Sequence, residues 1–196
     1  MFKRSALFLA ICVLFVGTAR AQVEVEASSL SYTSNCILGL DPGLRTIYIR
    51  LAFNSGATAA RFRVALGPGV TMTYVSESSP YTAVGYALAG MSVCFGGCLT
   101  GEPLLASLTF MSYSTDASCS EVRIVPHPNA QTIEVQKCNG STVAAYGKPL
   151  EIVPHGTIPC LCPTPHLFPG TPMPFDCMTV AAESTTWGRV KALYRN

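Results

Sequence analysis

The chain has 196 residues, of which only 12% are charged, with 13 basic against 11 acidic side chains. Three of the basic residues (Lys3, Arg4 and Arg20) sit in the first 21 positions, so the remainder carries ten basic against eleven acidic groups and is close to neutral. No Lys/Arg run is left to neutralise phosphates, which argues against nucleic acid as a partner, and about 175 residues suit one domain with a full core plus appendages.

Lys3 and Arg4 precede an uncharged apolar run from Ala6 to Val16, and Thr18-Ala19-Arg20-Ala21 follows with small residues at the spacing a signal peptidase cuts. This three-part layout predicts a signal peptide over 1–21 with Gln22 as the first mature residue. The run is about a dozen residues long, short of the roughly 20 needed to cross a bilayer. No later segment is long and apolar enough to span one. The expectation is an exported, soluble chain, either secreted or held at the cell surface or in the periplasm.

A first strand is predicted within 22–32. From residue 44 a period of two takes over. In "LRTIYIRLAF" Ile47, Ile49, Leu51 and Phe53 point one way while Thr46, Tyr48 and Arg50 point the other; in "ARFRVAL" Phe62, Val64 and Leu66 alternate with Arg61, Arg63 and Ala65. Strands with one face in a core and one in water read this way. "NSGAT" (54–58) between the two runs is turn chemistry, which predicts that they pair as a hairpin. Further strands are predicted at 70–76, 83–94, 104–112, 120–126, 131–137 and 149–153, separated by turns such as Gly67-Pro68-Gly69, Ser78-Ser79-Pro80 and Cys138-Asn139-Gly140. Many short strands with little helical patterning give an all-β chain, an antiparallel β-sandwich over residues 22–153 of jelly-roll or Ig-like kind.

The texture changes after 153. "PHGTIPCLCPTPHLFPGTPMPFDC" holds seven prolines, too many for a helix or a strand interior, so 154–182 is expected to be an extended, irregular segment. "ESTTWGRVKALYR" then turns helical. A residue among Ser184, Thr185 and Thr186 can cap it, and Trp187, Val190 and Tyr194 share one side. A short amphipathic helix over 183–196 follows, with Trp187, Val190, Leu193 and Tyr194 as its docking contacts. The one internal echo is "IVPH", at 124–127 and 152–155; it reads as two strands that stop at a proline, each followed by an exposed polar residue.

Beyond the leader lie eight cysteines: Cys36, Cys94, Cys98, Cys119, Cys138, Cys160, Cys162 and Cys177. An even number in an exported chain predicts up to four disulfides that staple the sandwich. Cys160, Cys162, His166 and Cys177 have the number of ligands a tetrahedral zinc needs. However, the single Leu161 between the first two makes a cramped chelate, and an oxidising compartment consumes thiolates. Disulfides are expected there, and no metal. "CFGGC" (94–98) places three residues between its cysteines where thiol–disulfide enzymes have two, so it predicts either a local bridge or two separate bridges. Cys119 and Cys138 enclose two predicted strands and would make a hairpin staple.

Catalysis finds little in the sequence. Asp41, Asp116 and Asp176 are isolated and no Gly-x-Ser-x-Gly motif occurs. The reading is a non-enzyme without a cofactor. Tyr74, Tyr81 and Tyr86 cluster around a predicted loop, and aromatic faces stack on sugars, which makes these three the candidate ligand-binding residues.

Two stretches carry a resemblance. "LDPGLRTIYIRLAFNSGATAARFRVAL", followed by "EPLLASLTFMSYSTDASCSEVRIVP", resembles the strand grammar of cohesin-like and carbohydrate-binding β-sandwich domains over about two-thirds of the mature chain. "TTWGRVKALYR" is similar to the Trp-Gly-x-Val-Lys-x-Leu-Tyr-Arg endings of secreted bacterial proteins with cysteine-bearing β-domains. The first implies a sandwich; the second implies export from a bacterium and a portable terminal element. The paired calcium-loop repeats of a dockerin are missing, so the resemblance does not extend to a cellulosome role. Together these readings predict an exported, non-catalytic binding or structural module that meets an extracellular protein or a glycan. A carbohydrate-binding module and a hydrolase with scattered carboxylates are the alternatives.

Overall fold

The computed structural model describes residues 23–29, 37–40, 42–52, 54–113, 120–154 and 166–167. Among them every regular element is a strand. In chain order these are β1 (Glu24–Ser28), β2 (Ile37–Leu40), β3 (Gly43–Ala52), β4 (Asn54–Leu66), β5 (Met72–Ser78), β6 (Thr82–Tyr86) and β7 (Gly90–Gly101). They continue with β8 (Leu104–Ser112), β9 (Ser120–Val125), β10 (Ile133–Lys137), β11 (Thr142–Lys148), β12 (Leu150–Pro154) and the two-residue β13 (His166–Leu167).

The chain is an all-β sandwich, as its alternating apolar positions require. One layer runs β5-β8-β3-β1-β11; the other carries β2-β12-β9-β4 with β7 and β6, and β10 joins β4 to β11. β9 lies against β1 and β11 without pairing with either, so the layers meet face to face there. They meet so closely that a Cβ on Gly147 of β11 would run into the Ile124 carbonyl of β9. Val25, Ile47, Ile49, Leu51, Leu108 and Phe110 from the first layer and Phe62, Val64, Met91, Val93, Val122 and Ile124 from the second form one continuous core. Burial of each large side chain contributes about 1.5–3 kcal/mol, so the alternation specifies which face of each strand turns inward.

Three expectations are corrected. The ladder is mixed, because β1 pairs in parallel with β11 and β2 with β12, while the other pairs are antiparallel. β3 and β4 are not a hairpin. β3 pairs with β1 and β8, and β4 with β7, β9 and β10, so the chain changes layer between them. "NSGAT" is accordingly the irregular start of β4, with register shifts between Asn54, Ala57 and Ala59. The single strand expected over 83–94 is divided by a turn in which the Ala89 N–H donates to the Tyr86 carbonyl. β11, "TVAAYGK", was not expected from the sequence. The signal segment, Cys36, Cys119, Cys160, Cys162, Cys177 and the terminal segment with Trp187, Val190, Leu193 and Tyr194 lie outside the described residues. Within the proline-rich stretch, His166 and Leu167 pair with Gly147 and Tyr146 at the edge of β11.

The disulfide that the structure describes joins Cys98 to Cys138, with Cα atoms 5.3 Å apart. A Cys119–Cys138 staple is overturned, because Cys138 is bonded to Cys98. The two strands it was expected to join, β9 and β10, do not form a hairpin but pair in succession along β4, Val122 opposite Leu66 and Lys137 opposite Ala57. Cys94 is disulfide-bonded as well, so the cysteines of "CFGGC" serve separate bridges. The Cys98–Cys138 bridge straddles β4 at Gly56, where an added Cβ would lie 3.0 Å from Cys138 Sγ and 3.4 Å from Cys98 Sγ. Gly56 has φ +138°, so both the backbone and the space call for glycine.

Candidate functional site

Strands β3, β8 and β5 turn their apolar positions inward and leave a second face outside. Their register aligns that face into three rungs: Leu44–Met111–Thr73, Thr46–Thr109–Ser76 and Tyr48–Ser107–Ser78. The inward partners between the rungs (Ile47, Leu108 and Phe110) are fully buried, so alternation fixes the rungs outward. None of the nine residues is charged. The shift between Tyr74 and Ser76 inserts Val75 on the edge strand, and Val75 is exposed. Four large apolar or aromatic side chains are conspicuously exposed among the described residues: Leu44, Val75, Tyr86 and Tyr113. Three of these belong to or adjoin this face, since Tyr113 follows Met111 by two positions and its N–H donates to the Thr71 carbonyl.

Charge begins one strand over and one rung on. Arg50 pairs opposite Glu26 of β1 and donates through Nη2 to Glu102 Oε2 at 3.1 Å; Lys148 of β11 lies 3.3 Å from Glu26 Oε2. Glu26 and Arg50 are almost fully buried, and Arg50 Nε and Nη1 have no acceptor. The carboxyl of Glu24, also on this strip, is pushed above its ordinary range by burial, against the pull of Lys148. A strip of buried charge thus borders an uncharged, hydroxyl-rich and apolar sheet face. Such a face offers contact area and neutral hydrogen-bond groups without a large cost of desolvating ions.

The tyrosines are arranged differently. Tyr74 turns inward with its ring edge on Phe110 (centroids 5.9 Å apart, planes at 78°), and Tyr81 tilts against Phe95 at 5.1 Å. Tyr86, on β6, is 53% exposed. Burial and the neighbouring Glu77 raise the Tyr74 phenol above its usual range, with a smaller contribution from Tyr86. Glu77 Oε2 also accepts the Ala87 N–H at 2.9 Å, tying β5 to the β6–β7 turn. Tyr74 and Tyr86 lie near one another, Tyr81 is engaged separately with Phe95, and two of the three rings are thus in internal contacts. Among the described residues no three His, Cys, Asp or Glu side chains converge where a metal ion could sit. No described helix is long and apolar enough to cross a membrane.

The backbone is similar to those of solved cohesins. The sixth cohesin of scaffoldin B from Acetivibrio cellulolyticus, solved in complex with a Cel5 dockerin, matches with a TM-score of 0.48 at 12% identity over 68% of this chain and 99% of its own. A non-cellulosomal cohesin from Archaeoglobus fulgidus matches at 0.46 and 11%, over 68% and 92%. The cohesin module of a family 33 glycoside hydrolase from Clostridium perfringens matches at 0.46 and 8%, over 68% and 99%. No family profile and no curated protein matches the chain.

The sequence alone makes half of the rungs legible. The alternation in "LRTIYIRLAF" set Thr46 and Tyr48 outward, but only the register brings Thr109, Met111, Thr73 and Ser76 beside them.

Proposed function

We propose that this is an exported, non-catalytic binding module whose β3–β8–β5 face docks a partner protein outside the cytoplasm. One observation carries the reading: nine outward residues on three adjacent strands, none charged, with exposed Leu44, Val75 and Tyr113 on or beside them. An ordinary solvated sheet face carries Lys, Glu and Arg. A face of Thr, Ser, Tyr, Leu and Met suits the uncharged centre of a protein interface. Leu44→Asp and Thr109→Arg each place an unpaired charge in that centre. Each is expected to weaken binding of the partner by about 2 kcal/mol or more, roughly thirtyfold. Calorimetry checks the affinity, and circular dichroism checks that the sandwich is unchanged. Binding that tolerates both substitutions contradicts the assignment.

A glycan-binding reading rests on the three tyrosines, of which Tyr86 is the exposed ring. It is favoured instead if binding to a glycan array is lost with Tyr86→Ala and kept with Thr109→Arg. In the same proposal the terminal segment with Trp187, Val190, Leu193 and Tyr194 is a docking or sorting element. Deleting residues 183–196 is expected to change where the protein resides, as read by cell fractionation, while thermal melting of the sandwich stays the same. Loss of the fold on deletion would make the segment part of the core.

A further inference from the structure

β9 and β10 pair with the same side of β4, Val125 opposite Arg63 and Glu134 opposite Arg61, so residues 126–132 between them must leave the ladder. They are only partly in solvent: Pro128, Asn129 and Gln131 are exposed, while His127 is half-buried and Thr132 fully buried. β7 flanks β4 on the other side, where Met91 pairs with Phe62. A Cβ built on Gly90, just before Met91, would lie 2.6 Å from His127 Cδ2 and 2.6 Å from Pro128 Cδ. The excursion therefore crosses β4 and seats His127 and Pro128 on the bare backbone of Gly90. His127 is therefore not the exposed residue expected after a strand end; it is half-buried.

The seat suits a neutral imidazole. Nδ1 accepts the Asn129 N–H at 3.1 Å, which requires a free lone pair on that nitrogen. The His127 carbonyl accepts the Ala130 N–H at 2.8 Å and closes the turn. The charges that act on the ring are Arg61 and Arg63 of β4 and Glu134 of β10, and Gly90 at the start of β7 offers its backbone. The one carboxylate among these groups is already engaged, since Glu134, fully buried, accepts from Arg61 Nε at 2.6 Å and is also bonded by Arg61 Nη2. Arg63 Nε is buried without an acceptor.

We propose that the 126–132 excursion is an acid-released latch, in which neutral His127 holds the segment across β4 and protonation of Nδ1 frees it to uncover Arg61, Arg63 and Glu134. Protonation removes the acceptor of the Asn129 N–H and sets a third cation beside two guanidiniums. In agreement, burial first, then Arg61 and to a lesser degree Arg63 lower the His127 pKa below its ordinary value, against an opposing pull from Glu134 that is weaker than that of Arg61. The folded chain thus binds the proton less readily than the unfolded chain does. The latch is at full strength above the ordinary imidazole value of about 6.5 and is lost as pH falls through the lower folded value.

Hydrogen exchange of the whole chain, corrected for intrinsic rates, tests this between about pH 7.5 and pH 5. The expected result is that protection of the Asn129 and Ala130 amides drops by about tenfold or more in acid while β3 and β8 stay protected. His127→Gln keeps an acceptor without a titrating proton and is expected to abolish the acid dependence. Acid release that persists unchanged in His127→Gln, or protection at 129–130 that ignores pH in the unmodified chain, overturns the proposal. A second measurement stands if the variant does not fold: the His127 ring titration by NMR, assigned through the backbone. A midpoint below the free-imidazole value of about 6.5 is expected, and one at or above it is the contrary result.

Discussion

Phe62→Ala is expected to lower the stability of the folded chain by about 3–5 kcal/mol. Phe62 has no exposed surface and is among the largest of the fully buried side chains. It sits on β4, which pairs with β7 on one side and with β9 and β10 on the other, so neither flank can collapse into the space without disturbing a ladder. Removing the ring costs both its transfer from water and the contacts of the groups left facing a void. Set against a net stability of about 5–15 kcal/mol for a typical domain, the loss is a large fraction of the whole. Urea unfolding with disulfides intact measures it as a drop in midpoint at an unchanged slope. A loss below about 1 kcal/mol would mean that the core is not close-packed around β4.

The second large effect belongs to the bridge over Gly56. Cys98 and Cys138 are 40 residues apart in sequence. A crosslink closing a loop of that length removes chain entropy from the unfolded state worth about 4 kcal/mol, with about 2–4 kcal/mol the usual measured range. Cys98→Ser with Cys138→Ser is expected to lose that amount. The loss has a local signature, because the bridge spans the irregular end of β4, where register shifts weaken the ladder and Asn54 substitutes side-chain bonds. Asn54 Nδ2 donates to the Leu99 carbonyl at 2.8 Å and its Oδ1 accepts the Gly56 N–H at 2.9 Å. Exchange at residues 54–58 and 98–101 should rise before exchange at Phe62 and Val64. Uniform exchange, or an unchanged urea midpoint, contradicts this role for the bridge. The double serine variant is the cleaner experiment, since a reductant would also open the Cys94 bridge.

The strand faces were legible because burial and alternation are the same fact seen twice: Ile47, Ile49 and Leu51 on β3 and Phe62 and Val64 on β4 are inward as their spacing requires. Residues 104–112 form a strand over the span expected of them. Pairing was not legible. A turn-like sequence between two strands implies a hairpin only if the chain stays in one layer, and at Asn54 it changes layer. β11 is not legible because "TVAAYGK" has small residues where an alternating strand has large ones, and Gly147 is small for a reason visible only across the layers. The Cys98–Cys138 pairing and the seating of His127 on Gly90 both depend on which strands flank β4. Local patterning carries no information about that. The uncharged face lies between these extremes: each strand's outward residues can be read singly, and their alignment into rungs cannot.

The binding face is tested most directly by a photoreactive amino acid placed at Thr73, exposed on the outer edge of the rungs, and at Thr82 of β6 as the control, in cells that make the protein. Irradiation is predicted to give one discrete adduct from position 73, none from position 82, and none from position 73 once Leu44→Asp is added. Equal adducts from both positions, or an adduct at 73 that survives Leu44→Asp, would show that the partner is held elsewhere.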